Sequence, residues 1–498
     1  MRKILKLLTS KLVIVAPLVL LQFGLLVMMI YNISLAYEIL PVLNMLGIAT
    51  CVRVINRFED PSYKIAWVFL LLSVPIVGVP LYFIAGNKRI PKSLMNGTIK
   101  TNHSMDNLLV ISEKDDDMMF HYGSESLGFP VYKNTSSYYF SSGEKWFKDY
   151  LSHLRKARHF IFMEYFIFDE GKCLDELIEV LRQKIAEGVE VKLIYDDFGC
   201  LTMSRKAWRR MEEIGVEVYC FNKITPRLLV TMNNRDHRKI TVIDNRFAYT
   251  GGINMADEYV NRIKRFGKWK DSAIRIEGDA VWSFTVMFLG MLEYCRKGSE
   301  FLDYRQYRDR HEFVSDGGAY QPYSDSPTDG EQTSLSYQLN MVKVARKYIY
   351  IDTPYLIPNE EMLDALMLAA KNGIDVRILV PAVPDKFFVN QITKGNYERL
   401  IGAGVRVYEY TPGFDHAKNF VCDDKYAIVG SANMDYRSYF LHFEAGILMR
   451  DTPSIPYVKK DFLESIELSR EITQQDIADT LLAVKVMRGI LNLFVPFV

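Results

Sequence analysis

Two short clusters of histidine, lysine and aspartate carry the clearest chemistry in this sequence. They share one spacing, in which lysine follows histidine by two positions and aspartate follows it by seven: His237, Lys239 and Asp244, then His416, Lys418 and Asp423. One such match is a weak motif, whereas two in register are a strong signal. One imidazole can attack phosphorus while another protonates the leaving oxygen, and lysines balance the phosphoryl charge. The pattern therefore indicates phosphoryl transfer by two histidines.

The residues around each histidine have separate expected tasks. Side chains two positions apart on a strand share a face, so each lysine projects beside its histidine. Asn254 and Asn433 follow the two motifs at equal distances and are expected to bind phosphate oxygens. Asp244 and Asp423 are counted with the catalytic motif but are expected to hold local structure. No carboxylate cluster of metal-ligand type is visible, so we expect neither a metal nor another cofactor.

The flanks of the two motifs repeat as well. Three pairs of segments align in the same order in both halves: 157–164 with 345–352, 187–194 with 372–379, and 214–219 with 403–408. This order indicates an internal duplication. Two long copies predict a pseudo-dimer rather than a repeat array.

Hydrophobic periodicity predicts the elements that position the motifs. In the first half we predict strands at 160–166, 189–195, 216–221 and 239–243, with helices at 174–186 and 204–214. In the second half we predict strands at 348–352, 375–380, 405–410 and 418–422, with helices at 359–371 and 393–403. Alternation of this kind is typical of a layered α/β domain. The predicted domains are 125–315 and 316–498, with the joint near 315–333.

The N-terminal region, residues 1–92, is predicted to lie in a membrane. The uncharged runs at 12–37 and 65–87 exceed the roughly 20 residues that cross a bilayer, whereas the run at 39–52 is shorter, so two or three spans are predicted. A cleaved signal peptide is the competing interpretation of the first run, which is too long for one. Residues 93–124 are polar and are predicted to be a linker.

Basic residues predict the orientation. Lysine and arginine precede the first hydrophobic run and follow the last, and both groups favour the cytoplasm. Two spans, or three runs with one re-entrant, then place the catalytic part in the cytoplasm, on a multi-pass protein of the cell membrane. The C-terminal segment 481–498 is amphipathic and either lies on a membrane face or packs on the domain.

Composition narrows the class of protein. The chain has 498 residues and a formal net charge of +1, so no global field favours nucleic acid. Its 6 cysteines are scattered, which argues against a disulfide framework or a zinc site.

The paired motifs resemble those of the phospholipase D superfamily, over roughly residues 125–470. This resemblance implies duplicated α/β/α layered domains that form a pseudo-dimer, and a covalent phosphohistidine. It implies His237 as nucleophile and His416 as acid, although the residues alone leave the two roles interchangeable. It also implies an orienting carboxylate downstream of each motif, and Asp271 and Glu444 fit.

With the N-terminal membrane region, the chain resembles the bacterial cardiolipin synthase family within that superfamily. The resemblance implies transfer of a phosphatidyl group between two phosphatidylglycerol molecules, giving cardiolipin and glycerol. A phospholipase D-type hydrolase is the alternative, and an inactive membrane scaffold is a remote one. The expected partners are phosphatidylglycerol and the lipid bilayer, with no nucleic acid. The oligomeric state stays open.

Overall fold

The computed structural model describes residues 33–57, 59–86, 94–97, 105, 108–109, 115–224, 233–296, 304–308, 313 and 315–495. The first hydrophobic run predicted as a span, 12–37, lies mostly outside these residues. Strands and helices are numbered below in chain order.

Two mixed sheets form the body of the protein. The strands of the first half are β1 (Thr135–Phe140), β2 (Phe160–Tyr165), β3 (Glu190–Asp196), β4 (Glu217–Phe221), β5 (Arg235–Asp236), β6 (Lys239–Ile243), β7 (Phe247–Gly251), β8 (Lys268–Lys270) and β9 (Ala273–Gly278). Those of the second half are β10 (Ala319–Asp325), β11 (Tyr348–Asp352), β12 (Asp375–Pro381), β13 (Arg406–Tyr410), β14 (Gly413–Asp415), β15 (Asn419–Cys422), β16 (Tyr426–Gly430), β17 (His442–Arg450) and β18 (Ser469–Glu471).

The two sheets have the same strand order over seven strands, and the second has an additional edge strand, β18. The first has the order β1-β9-β7-β6-β2-β3-β4, and the second has the order β10-β17-β16-β15-β11-β12-β13-β18. In both, the strand that follows the motif histidine pairs antiparallel with the first buried central strand, β6 with β2 and β15 with β11. The predicted duplicated α/β architecture is confirmed.

Helices cover both sheets and fill the space between them. Those of the catalytic body are α4 (Met118–His121), α5 (Gly143–Leu154), α6 (Lys172–Ala186), α7 (Arg205–Glu213), α8 (Val281–Arg296), α9 (Thr333–Val344), α10 (Glu360–Lys371), α11 (Phe387–Gly395), α12 (Tyr397–Gly402), α13 (Tyr436–Phe440), α14 (Ile455–Glu467), α15 (Gln474–Ala478) and α16 (Leu482–Asn492).

The layer between the sheets is made by α8 and α14. Phe288 of α8 stacks on Phe162 of the first sheet at 4.7 Å, and Phe462 of α14 stacks on Tyr350 of the second at 5.0 Å. Because α8 is apolar on nearly all sides, it suits a position buried on all sides. The two halves thus share one core, whereas α5 to α7 and α9 to α10 cover the outer faces.

The N-terminal helices form a compact hairpin. They are α1 (Ile33–Ile55), α2 (Pro61–Ser73) and α3 (Pro75–Leu81), followed by a π-helical turn, Tyr82–Gly86. The chain turns at Val74, and the Tyr63 hydroxyl donates to the Gly86 carbonyl at 2.9 Å, so the end of the hairpin returns to its start. The run predicted as one span at 65–87 is therefore divided. Among the described residues, no helix combines the length and apolarity that crossing a bilayer requires.

Two further expectations differ from the structure. The predicted helix 393–403 is two helices, α11 and α12, separated at Asn396, whose side chain donates to the Leu356 carbonyl at 3.0 Å. The predicted joint 315–333 contains β10, which pairs along the whole outer part of β17. This segment is rich in glycine, serine and aspartate, which are typical of loops, and for this reason the sequence did not predict its buried edge strand.

Candidate active site

Each motif histidine is anchored to a strand of the opposite half. His237 follows β5, which pairs in parallel with the start of β17, and its backbone N–H donates to the Phe443 carbonyl at 2.9 Å. His416 follows β14, which pairs with β8, and its N–H donates to the Lys270 carbonyl at 2.7 Å. These short inter-half ladders bring the two motifs into one centre.

The carboxylates that contact the histidines also come from the opposite half. His237 Nδ1 lies 3.0 Å from both carboxylate oxygens of Glu444. His416 Nδ1 lies 2.7 Å from Asp271 Oδ2. Both acids are completely buried. An ionised carboxylate can only accept, so Nδ1 carries the proton in each ring and Nε2 keeps its lone pair.

Electrostatics keep both imidazoles neutral in the unliganded site. Burial lowers the pKa of His237 to about 3, although Glu444 opposes this shift. Burial likewise lowers the pKa of His416 to about 4, with Lys418 adding to the effect. Burial alone would raise the pKa of Glu444, but the nearby His237 and Lys239 hold it well below its usual range. Neutral rings beside ionised carboxylates are the form that a nitrogen nucleophile requires.

The motif lysines lie in the same electrostatic field. Each ammonium group donates to the backbone carbonyl of its own motif histidine. Burial lowers the pKa of Lys239 to about 7, and the charge of Lys418 contributes to this shift. Burial lowers the pKa of Lys418 to about 8. A lowered pKa means that the charged form of each lysine is destabilised. Both ammonium groups therefore favour an anionic ligand that contacts them.

The motif aspartates stand apart from the histidines. Asp244 accepts from the backbone N–H groups of Arg158, His159 and Phe160 at 2.7 to 2.8 Å. Asp423 accepts in the same way from residues 346–348, at 2.6 to 2.9 Å. Each aspartate therefore ties the end of its motif strand to the start of the neighbouring strand, β2 or β11.

Both asparagines are buried and already bonded to protein. Asn254 donates to the Tyr259 hydroxyl at 2.8 Å and accepts from the Ile167 N–H at 3.0 Å. Asn433 donates to Asp435 at 3.2 Å. An amide group carries two N–H donors. One donor of each asparagine is thus committed to positioning a neighbour, which leaves one for a phosphate.

A third histidine lies in the centre and was missed from the sequence. The ring centroid of His442 lies 5.4 Å from that of His237, and its Nδ1 lies 3.7 Å from Glu444 Oε1. One signal pointed to it: His442 precedes Glu444 by two positions on a strand, so both face the same way. His237, His442 and Glu444 offer atoms within 4.8 Å of one another, donor types that also suit a transition metal.

The two halves of the centre differ around their carboxylates. Ser431 donates its hydroxyl to Glu444. The matching position in the first half is Gly252, where an added Cβ would lie 2.1 Å from Asp271 Oδ1. Trp269 occupies the place of His442 and donates its indole N–H to Asp271 at 3.2 Å. One centre therefore contains two unlike histidine–carboxylate pairs.

Comparison with protein families supports this architecture. The family described as "Cardiolipin synthase, PLD-like domain" matches residues 150–264 and again residues 339–466, one match in each half. Residues 42–87, which include most of the hairpin, match the family described as "Phospholipase_D-nuclease N-terminal".

Individual relatives agree. A cardiolipin synthase of Staphylococcus aureus is 33% identical over 91% of this chain and 95% of its own. A Streptococcus mutans protein described only as uncharacterized is 40% identical over 90% of this chain and 99% of its own. A phosphatidylserine synthase of Haemophilus influenzae has a similar fold, with a TM-score of 0.59 at 15% identity, covering 76% of this chain and 97% of its own. The chain belongs to the cardiolipin synthase family of the phospholipase D superfamily.

Proposed function

We propose that this protein transfers a phosphatidyl group from one phosphatidylglycerol molecule to another, forming cardiolipin and releasing glycerol. The observation that carries the proposal is the pair of buried histidines, each bonded through Nδ1 to a carboxylate of the opposite half. Two such rings provide a nucleophile and a proton donor in one place, which a two-step transfer needs. Family membership supplies the lipid substrate.

In the first step, His237 Nε2 attacks the phosphorus of the donor lipid. The P–N bond forms as the bond from phosphorus to the head-group glycerol oxygen breaks. His416 gives its proton to that oxygen, and glycerol leaves. The charge of the bound phosphodiester raises the pKa of His416 from its low unliganded value, so that the ring carries the proton it must donate. The positive charges of Lys239 and Lys418 balance the negative charge on the phosphoryl oxygens.

In the second step, His416 is neutral and accepts a proton from a head-group hydroxyl of the second phosphatidylglycerol. That oxygen attacks phosphorus, the P–N bond breaks, and cardiolipin forms. Throughout, Glu444 keeps the Nδ1 proton on His237 and neutralises the phosphorylated ring. Both histidines are then back in the protonation states with which the first step began, and no further reactant is needed.

Product analysis tests the proposal. Purified protein in detergent is incubated with radiolabelled phosphatidylglycerol and EDTA, beside His237→Ala and His416→Ala. We expect cardiolipin and free glycerol from the wild type alone. Phosphatidic acid in place of cardiolipin would mean that water is the acceptor and that the protein is a hydrolase. Activity that is present without EDTA and lost in its presence would instead assign a metal to His237, His442 and Glu444. No product under either condition would favour the scaffold.

The membrane position of the hairpin is the finer part of the proposal. The protein is a multi-pass protein of the cell membrane in which residues 61–86 enter one leaflet and return. The 13 residues of α2 reach only about 20 Å at 1.5 Å per residue, short of a hydrocarbon core of about 30 Å. Because a returning hairpin does not cross the bilayer, the catalytic body lies on the side on which the hairpin begins, and Lys88, Arg89 and Lys92, which follow it, favour the cytoplasm.

Cysteine labelling in intact cells tests this orientation. With the native cysteines removed, Glu179→Cys places a thiol on α6, where the native side chain is 79% exposed. It should stay unmodified by a membrane-impermeant maleimide until the cells are opened. Labelling of intact cells would place the catalytic body outside.

A further inference from the structure

A basic recess lies between α11 and α16, and the catalytic steps make no use of it. Its volume is about 130 Å³, room for several waters or one phosphate group. Lys394, Lys485 and Arg488 line it, opposed by Glu398. The cationic side chains in this lining outnumber the acid, and burial separately lowers the pKa of Arg488.

The cations are only partly neutralised by protein groups. Lys394 lies 3.0 Å from Glu409, and Arg488 donates to the side-chain oxygen of Gln391 at 3.1 Å. Lys485 forms no ion pair with any residue of the described ranges. The recess therefore suits an anion that reaches Lys485 and Arg488 together.

The helix that carries these cations also exposes a row of apolar side chains. Leu482, Val486 and Ile490 recur every four residues on α16 and are 77%, 53% and 54% exposed. No residue of α16 is buried. Basic residues beside an exposed apolar row are typical of a helix that lies in the interface of an anionic bilayer.

Contacts connect this helix with the hydrophobic hairpin and the catalytic centre. The ring of Phe494, just after α16, meets Phe69 of α2 edge to face at 6.5 Å. At the start of α2, Asp60 accepts from the Tyr436 hydroxyl at 2.6 Å, three residues beyond Asn433 of the catalytic centre. The helix that lines the recess thus ends beside the part of the molecule proposed to enter the bilayer.

We propose that the recess binds the phosphodiester head group of an anionic phospholipid in the bilayer while the apolar row of α16 enters the same leaflet. The identity of the lipid class rests on the proposed function, but the site is separate from the catalytic centre. It would hold the protein against regions rich in its own substrate or product.

Photocrosslinking tests the site without turnover. His237→Ala protein is reconstituted in phosphatidylcholine vesicles that contain a phosphatidylglycerol with a diazirine beside its head group, and labelled peptides are mapped by mass spectrometry. We expect labelling within 387–395 and 474–495, about tenfold weaker in K485Q/R488Q because two interfacial cations are lost. The matched control K371Q/K460Q removes two exposed lysines elsewhere and should label normally.

Two additional labelling experiments identify the class of ligand that the recess binds. A phosphatidylcholine carrying the same diazirine should label these peptides several-fold less, and equal labelling would mean bilayer contact without head-group recognition. Excess glycerol 3-phosphate should not compete, and competition would mean a site for a soluble phosphate compound. Unchanged labelling in K485Q/R488Q would also overturn the proposal. Because no product is measured, a hydrolase or an inactive protein would leave this result interpretable.

Discussion

Single residues break the symmetry of the duplicated centre. The second half places Ser431 and His442 around Glu444, and the first half places Gly252 and Trp269 around Asp271. A glutamate is one methylene longer than an aspartate, and its carboxylate is met by different donors. The first copy thus has Gly251-Gly252 where the second has Gly430-Ser431, because the acids that contact the two histidines differ in length.

This difference makes the two matching positions unequal to mutation. Gly252→Ser should reduce turnover by about a hundredfold or more, because its Cβ would displace Asp271, which positions an acid–base histidine. Ser431→Gly should cost less than about tenfold, because Glu444 keeps both contacts to His237. Steady-state rates of cardiolipin formation measure both. Equal losses would contradict the assignment.

The lysines predict the pH dependence. In the free enzyme Lys239 and Lys418 have pKa values of about 7 and about 8, and both must be charged to hold phosphate. We expect kcat/KM for phosphatidylglycerol to fall as pH rises through this range, since this parameter reports the free enzyme. A flat profile between pH 6 and 9, with vesicle integrity checked in parallel, would argue against the phosphate-holding role.

At the scale of elements, the sequence predicted most of the framework. The strand 239–243 was predicted with its observed bounds from the alternation of polar and apolar residues, and 348–352 from the repeat of the first half in the second. The 393–403 helix is divided at Asn396, and the 315–333 segment, predicted as the joint, contains β10, which becomes a strand only by pairing with β17, far along the chain. His442 was missed because it lies beside His237 only after the two halves of the chain have packed against each other.

The strand β8 carries a prediction about stability. Lys270 lies 3.3 to 3.5 Å from Asp352, Asp415 and Asp461, all of the second half. Lys270→Met should destabilise the protein by about 3–5 kcal/mol, because it leaves buried carboxylates without a cation. Thermal unfolding measures the loss, with exposed Lys268→Met on the same strand as control.

The carboxylates around Lys270 determine how the loss of stability in Lys270→Met depends on pH. Burial raises the pKa of Asp352 from 3.8 to about 7 even with Lys270 present. A raised carboxyl pKa contributes stability below the unfolded value and loses it as pH rises through the folded value. Lys270→Met raises this pKa further, so the wild type and the variant lose the same stability up to about pH 7, and only the variant goes on losing it at higher pH. The Lys270→Met defect should therefore grow from about pH 7 to about pH 9. A defect that shrinks over this range would show that the lysine acts in another way.

At the scale of the whole molecule, the two halves complete each other's chemistry. Sequence reasoning named Asp271 and Glu444 but could not tell which histidine each would meet, because the exchange arises from packing two domains against each other. Each half contributes the ring of one pair and the acid of the other.

This exchange separates the two catalytic roles experimentally. A phosphatidyl donor with p-nitrophenol as its leaving group needs no acid, since p-nitrophenolate leaves unprotonated. Asp271→Asn, which acts through His416, should regain phosphatidyl-enzyme formation with this donor. Glu444→Gln, which acts through His237, should stay slower by about a hundredfold or more. Rapid quenching and peptide mapping measure both. The reverse pattern would make His416 the nucleophile.

The same exchange has a consequence during synthesis of the chain. The ribosome makes His237 long before Glu444, which follows it by 207 residues. Until the second half has emerged and docked, the first imidazole has neither its proton anchor nor its partner ring. On the proposed mechanism, a nascent or truncated chain therefore lacks both the oriented nucleophile and the acid that cleavage of a lipid requires. Reactivity arrives only with completion, so the architecture itself times the enzyme's activation.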